Sequence, residues 1–287
     1  MCRKWGSGVP GARATLFAMA AGERDDKIRL GGMALLNGVL VHGPNAWACA
    51  VRTPSGELKV AAEYKTLRAN QVRSPLLRGP VRFAEMFALL PAIRRRVPEA
   101  RLPFQRAQVL GSMVVSALAV RAVRGSTRLT PLARELVSGL LSAVPATLAL
   151  RGSELAAYHG AEHISIGSYE HGSPRQREHE RCGSHMLGPL LVSSAIGGAL
   201  ASRAPVNLRG PARLVAQLGA LAATTEIFGW MVRHPDHRLA QALSRPGHEL
   251  QHRFATAEPT PDQLEVAEAA LAACLELERT ADGADPN

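Results

Sequence analysis

The sequence predicts a mainly α-helical fold with a small N-terminal antiparallel β-meander and a helical, membrane-embedded core. Three observations lead there. Apolar residues make up 46% of the 287 positions but aromatic residues only 4%, so the interior must be built from Ala, Leu and Val, which suit helices better than sheets. Four uncharged apolar runs, 107–120, 136–150, 186–202 and 214–225, are separated by Arg-rich connections. Short apolar segments punctuated by Gly, Pro and Asn cluster between residues 31 and 64.

Residues 1–27 read as a disordered leader. Their only apolar run, Ala14 to Ala21, is too short for a secretory signal. Residues 28–105 form a small α+β region. The run Met33–His42 ends at the turn Gly43-Pro44-Asn45, Ala46–Arg52 reads as a strand, Thr53-Pro54-Ser55-Gly56 as a turn and Glu57–Tyr64 as another strand. Pro80 suits the first turn of a helix running to about Arg96, with Phe83, Phe87 and Leu90 on one face.

Residues 106–232 hold the four apolar runs. Each is shorter than the 18 or so residues that mark a membrane span unaided, but small residues such as theirs are common where membrane helices pack closely. A multi-pass cell-membrane protein is the favoured reading, and the buried helices of a soluble, cytoplasmic bundle are the alternative. In the last region, 233–287, Thr260-Pro261-Asp262-Gln263 has the form of a capping box with Pro at the first helical position. Leu264, Ala267, Leu271, Cys274 and Leu275 then recur at helical spacing, as in an amphipathic helix docked by one face.

The formal net charge is +10, and all but four of the 34 basic residues are Arg. Nucleic-acid binding would favour basic residues interleaved with aromatics, or a recognised motif, and neither is present. Arg121, Arg124 and Arg128 instead sit beside an apolar run, as at the end of a membrane segment. Membrane lipids are therefore the expected partners and nucleic acid is not, a basic adaptor remaining a third reading. Cys2, Cys49, Cys182 and Cys274 lie far apart with no Cys-x-x-Cys pair, which argues against a disulfide framework and for a reducing compartment.

Ten histidines occur, and five of them, His159, His163, His171, His179 and His185, fall within 27 positions. The core is Tyr158-His159-Gly160-Ala161-Glu162-His163. On a helix His159, Glu162 and His163 share one face, so two imidazoles can ligate one metal ion beside a carboxylate able to act as general base. This H-x-x-E-H order is that of the inverzincin metallopeptidases. Two histidines do not complete a shell. Further ligands can come from the loop carrying His179 and Cys182, or from Glu226, a lone carboxylate in an apolar segment and a functional candidate if that segment lies in a membrane. The expected metal site is thus His159, His163, Glu226, Cys182 and His179, with Glu162 as catalytic base and a divalent metal, zinc first, as cofactor. The bland alternatives are an Arg partner for Glu226 and surface positions for the loop histidines.

At these residues the chain resembles the YqhQ-like family, domain of unknown function 1385, described as predicted metal-dependent membrane proteins. Tyr158 to His163 matches its Y-H-G-A-E-H and Tyr169-Glu170 its Y-E. His179 and Arg181-Cys182-Gly183 match its H-P-R-C-G, with Glu180 in place of the proline. Gly31-Gly32 and Gly38-Val39 resemble its G-G-Q-A-V-I-E-G-V-M-M-R opening, Glu226-Ile227 its E-I/L pair, and Pro246-Gly247, Leu250-Gln251, Glu258-Pro259 and Gln263 to Ala267 its C-terminal pattern. Met33, Asn37 and His42 depart from it, standing where the family has Gln, Glu and Arg. The resemblance implies a metal and a membrane but no reaction. Two functions stay open: a membrane-embedded, hydrolase-like metal enzyme, or a non-catalytic scaffold with a structural metal site or polar packing network.

Overall fold

A computed structural model describes residues 27–67 and 69–283. Apart from Lys27, the expected leader lies outside the described residues. Strands β1 (Gly31–Leu35), β2 (Gly38–His42), β3 (Ala46–Arg52) and β4 (Leu58–Tyr64) form an antiparallel sheet in that order, the expected meander. The run Met33–His42 is not one segment, because a tight turn at Leu36-Asn37 pairs Leu35 with Gly38. Asn37 fixes that turn. Its amide donates to the Arg52 and Glu99 carbonyls, both at 3.0 Å, and its Oδ1 accepts from the Arg101 N–H at 2.9 Å.

Strand β3 is buried from Ala46 to Val51 without alternation because both faces of the sheet are covered. Val39, Val41, Ala48 and Ala50 pack against helices α4 (Glu154–His171) and α8 (Pro261–Gly283). Leu40, Trp47, Cys49 and Val51 pack on the other side against Leu89 and Ile93 of α1 (Pro75–Arg96) and against Leu102. Cys49 and Cys274 belong to these two cores, and burial pushes both thiols up to about 12. They are packing residues.

Helix α8 begins as expected. The Thr260 N–H donates to Gln263 Oε1 at 3.0 Å, and the Gln263 N–H to Thr260 Oγ1 at 3.3 Å. Its far end is tied to the sheet. The fully buried Glu278 carboxylate accepts from the Asn45 N–H at 2.8 Å, the Asn45 side chain at 3.0 Å and the Ala46 N–H at 2.6 Å.

Helix α1 starts at Pro75, five residues before the expected first turn, and ends at Arg96 as expected. Of the apolar face read from sequence, only Leu90 packs against the core. Phe83 and Phe87 are exposed and meet edge to face with centroids 5.1 Å apart, while Glu85, Leu89 and Ile93 point inward. Glu85 is directed there by charge: it pairs with buried Lys65 at 3.3 Å, and Lys65 Nζ lies 3.0 Å from His42 Nδ1.

The apolar runs form helices α2 (Ala107–Gly125), α3 (Pro131–Leu150), α5 (Leu187–Ala201) and α6 (Arg209–Arg233). They make two hairpins, α2–α3 and α5–α6, which pack side by side through α3 and α5, with α1 laid against α6. With the turns that precede α5 and α6, four segments are long and apolar enough to cross a membrane, and only 11% to 33% of each is buried. Val115, Leu140, Ile196 and Val215 are 67%, 58%, 52% and 68% exposed. A water-soluble bundle would turn such side chains inward, since each Å² of apolar surface left in water costs about 25 cal/mol. Both hairpin tips are Arg-rich, with Arg128 in one and Arg203 in the other. Helix α7 (Arg238–Leu250) and a π-helical turn, Gln251–Ala255, return the chain to α4.

Candidate metal centre

The centre is built on α4. Ser153 precedes this helix, but its hydroxyl turns back to the Ala149 and Leu150 carbonyls instead of capping it. Gly160 lets the backbone at Ala257 lie directly on the helix, where a Cβ would collide with the Ala257 carbonyl oxygen. The Ala257 N–H donates to the Ala156 carbonyl at 2.9 Å and fixes this contact. The π-helical turn just before it then presents the Ala255 carbonyl 2.8 Å from His159 Nδ1. One turn along α4, His163 Nδ1 lies 2.6 Å from the Arg177 carbonyl.

A carbonyl can only accept, so in both rings the proton sits on Nδ1 and the lone pair on Nε2. The two rings are 4.3 Å apart between centroids. Cys182 Sγ lies 3.6 Å from His159 Nε2, and one donor atom from each of His159, His163 and Cys182 falls within 4.8 Å of the others. A nitrogen–nitrogen–sulfur set of this kind suits a divalent transition metal. Burial and the neighbouring His159 hold His163 well below the usual imidazole range, so the ring is neutral, as a ligand must be. Burial pushes the Cys182 thiol up, with Ser184 pulling the other way.

Glu162 is buried beside this group. Its carboxyl packs on the α-carbon of Gly32 in β1, filling the space a Cβ would take. Burial raises it to about 7, His159 opposing that shift and Cys182 adding to it. The raised value leaves a carboxyl able to take up or release a proton near neutrality.

The other expected ligands are placed elsewhere. His179 Nε2 is 3.1 Å from Glu170 Oε2, and Glu170 also pairs with Arg181. The His179 ring stands 5.5 Å from that of His163, outside the three-donor group. Glu226 is not brought to the group either: Arg78 of α1 grips it with both arms of its guanidinium, Nε to Oε1 at 2.5 Å. A bidentate Arg satisfies the charge that a metal was expected to meet. The departures Met33, Asn37 and His42 also lie away from the centre: Met33 packs into the α1-side core, Asn37 braces its turn and His42 adjoins Lys65.

Sequence reasoning missed the groups that support the cluster. Fully buried Gln251 accepts from the His179 N–H at 2.9 Å and donates to Ser184 Oγ at 2.8 Å, clamping the Cys182 loop. Its one trace in the sequence was the Leu250-Gln251 pair. The orienting carbonyls of Ala255 and Arg177 leave no side-chain signature.

Fold and site together define a mainly helical protein with, among the described residues, four helices apolar enough to cross a membrane and a partly buried His/Cys group able to hold a metal. Residues 153–277 match the model of a family described as protein of unknown function (DUF1385), and this segment carries the whole cluster and its supports. No curated protein and no solved structure matches the chain.

Proposed function

We propose that the protein is a multi-pass membrane protein of hydrolase type in which His159, His163 and Cys182 hold a divalent metal, zinc first, and Glu162 serves as base. The observation that carries this reading is the pair of Nε2 lone pairs and the Cys182 sulfur facing one another, each ring oriented by a carbonyl behind it. Three protein ligands leave a position for solvent or substrate, as catalytic zinc sites do, whereas structural sites are closed by four. Bound there, the metal would polarise an acyl or phosphoryl oxygen of a substrate. The chain's own residues do the rest. The Ala255 and Arg177 carbonyls hold the imidazoles in the ligating tautomer, Cys182 gives up its proton on binding, and Glu162 accepts a proton on its carboxylate at neutral pH. The apolar belts on α2, α3, α5 and α6 support location in the cell membrane, with lipids as the surrounding partners.

The test is elemental analysis of the full chain purified in detergent. Near one metal per chain is expected in the wild type, a large loss in His159→Ala and Cys182→Ser, and retention in Glu226→Gln. Metal-free wild type from zinc-supplied cells would refute the reading. Glu162 also favours a second reading, because a buried carboxyl beside three donors could close the shell as a fourth ligand in a structural site. Glu162→Gln keeps its metal if Glu162 is the base and loses it if Glu162 is a ligand. Extraction of monodisperse protein without detergent would overturn the membrane assignment.

A further inference from the structure

A cleft of about 470 Å³ opens where the last turns of α6 leave the apolar layer. One wall is apolar, with Phe228 and Val232, and belongs to the segment long enough to cross a membrane. The facing wall carries Lys27, Arg29 and Arg181.

The carboxylates lining the cleft are already engaged. Glu170 is taken by Arg181 and His179, and Glu180, 75% exposed, by Arg175 at 2.9 Å. Lys27 Nζ donates only to a carbonyl, that of Tyr169, at 2.9 Å. Arg29, which is exposed, makes no ion pair among the described residues, and its charge adds to the effect of burial in lowering the Arg181 pKa. Lys27 and Arg29, cations with no carboxylate partner among the described residues, stand beside an apolar wall at the end of a membrane helix, which matches a ligand with an anionic head and a hydrocarbon tail.

We infer that this cleft seats the phosphate headgroup of an anionic membrane lipid, its phosphate against Lys27 and Arg29 and its chain along Phe228 and Val232. The inference rests on the proposed membrane location and not on the metal. A bilayer would deliver such a molecule laterally to the cleft.

The full chain, purified in detergent, is loaded with phosphatidylglycerol or phosphatidylcholine and lipid retention is counted by native mass spectrometry. Arg29→Glu is the informative variant, because Arg29 is exposed and its loss breaks no ion pair. Preferential retention of phosphatidylglycerol is expected, weakened about ten-fold by Arg29→Glu and left unchanged by Arg128→Glu at a hairpin tip. Equal retention of the two lipids, or equal loss in both variants, would overturn the inference. Binding of inorganic phosphate without phosphatidylglycerol would overturn the lipid as its source. Failure of the membrane assignment is read separately, by extraction without detergent.

Discussion

Gly160→Ala is the substitution that best separates this structure from a plain helix. In an isolated helix the change would stabilise by about 1 kcal/mol through propensity alone. Here the added Cβ meets the Ala257 carbonyl oxygen, which must retreat by about 1 Å to regain ordinary contact. Strain of this kind costs about 2 kcal/mol. The same retreat stretches the Ala257–Ala156 hydrogen bond from 2.9 Å and draws the Ala255 carbonyl from His159, now at 2.8 Å. Each lost bond costs about 1 kcal/mol. The expected balance is a destabilisation of about 3 kcal/mol, opposite in sign to the helix-propensity effect. It can be measured by chemical denaturation in detergent, alongside zinc affinity, which should fall because His159 loses its orienting carbonyl. A variant as stable as the wild type, with unchanged zinc affinity, would refute the packing of residues 255–257 on α4.

Glu278→Gln should destabilise the chain by about 1 kcal/mol in the same denaturation measurement, since the amide oxygen can keep both backbone N–H groups at the Oε1 position but the amide nitrogen replaces the oxygen that accepts from the Asn45 side chain. Stability of the metal-free protein should fall between pH 7 and 5. Burial holds His42 at about 3 and His179 at about 4, so each is neutral when folded but takes a proton when unfolded below about 6.5. Their stabilisation is complete above that value and is lost as pH falls, by about 2 kcal/mol each at pH 5. Glu162, raised to about 7, works the other way, contributing fully below its unfolded value and losing that contribution as pH rises through 7. Glu162→Gln should therefore steepen the acid-side loss by about 2 kcal/mol over the same range, and an unchanged pH profile would exclude burial of this carboxyl. Arg78→Gln should loosen α1 from α6 and speed proteolysis near Ser74 without lowering metal content.

What the sequence made legible was whatever repeats locally. The capping box at Thr260 and Gln263 located α8, the three- and four-residue spacing of His159, Glu162 and His163 located α4 with its ligands on one face, and the turn residues between 43 and 56 located the strands. Long-range choices were not legible. Nothing in the neighbourhood of Glu226 distinguishes Arg78 from the other arginines as its partner, and although Cys182 was among the expected ligands, the Gln251 clamp on its loop was not. Helical spacing placed Phe83, Phe87 and Leu90 on one face, but only Leu90 meets the core. The pull of Lys65 on Glu85 turned α1 the other way.

The closure of the sheet by α8 sets an order of events during biosynthesis. Residues 31–64 leave the ribosome early, and their Val39, Val41, Ala48 and Ala50 face is covered only in part, by α4, until residues 261–283 are made. All four apolar helices are synthesised in between. The sheet therefore cannot be closed until all four apolar helices have been made, and a nascent chain stalled after α6 would hold a half-open, aggregation-prone sheet face for chaperones to shield.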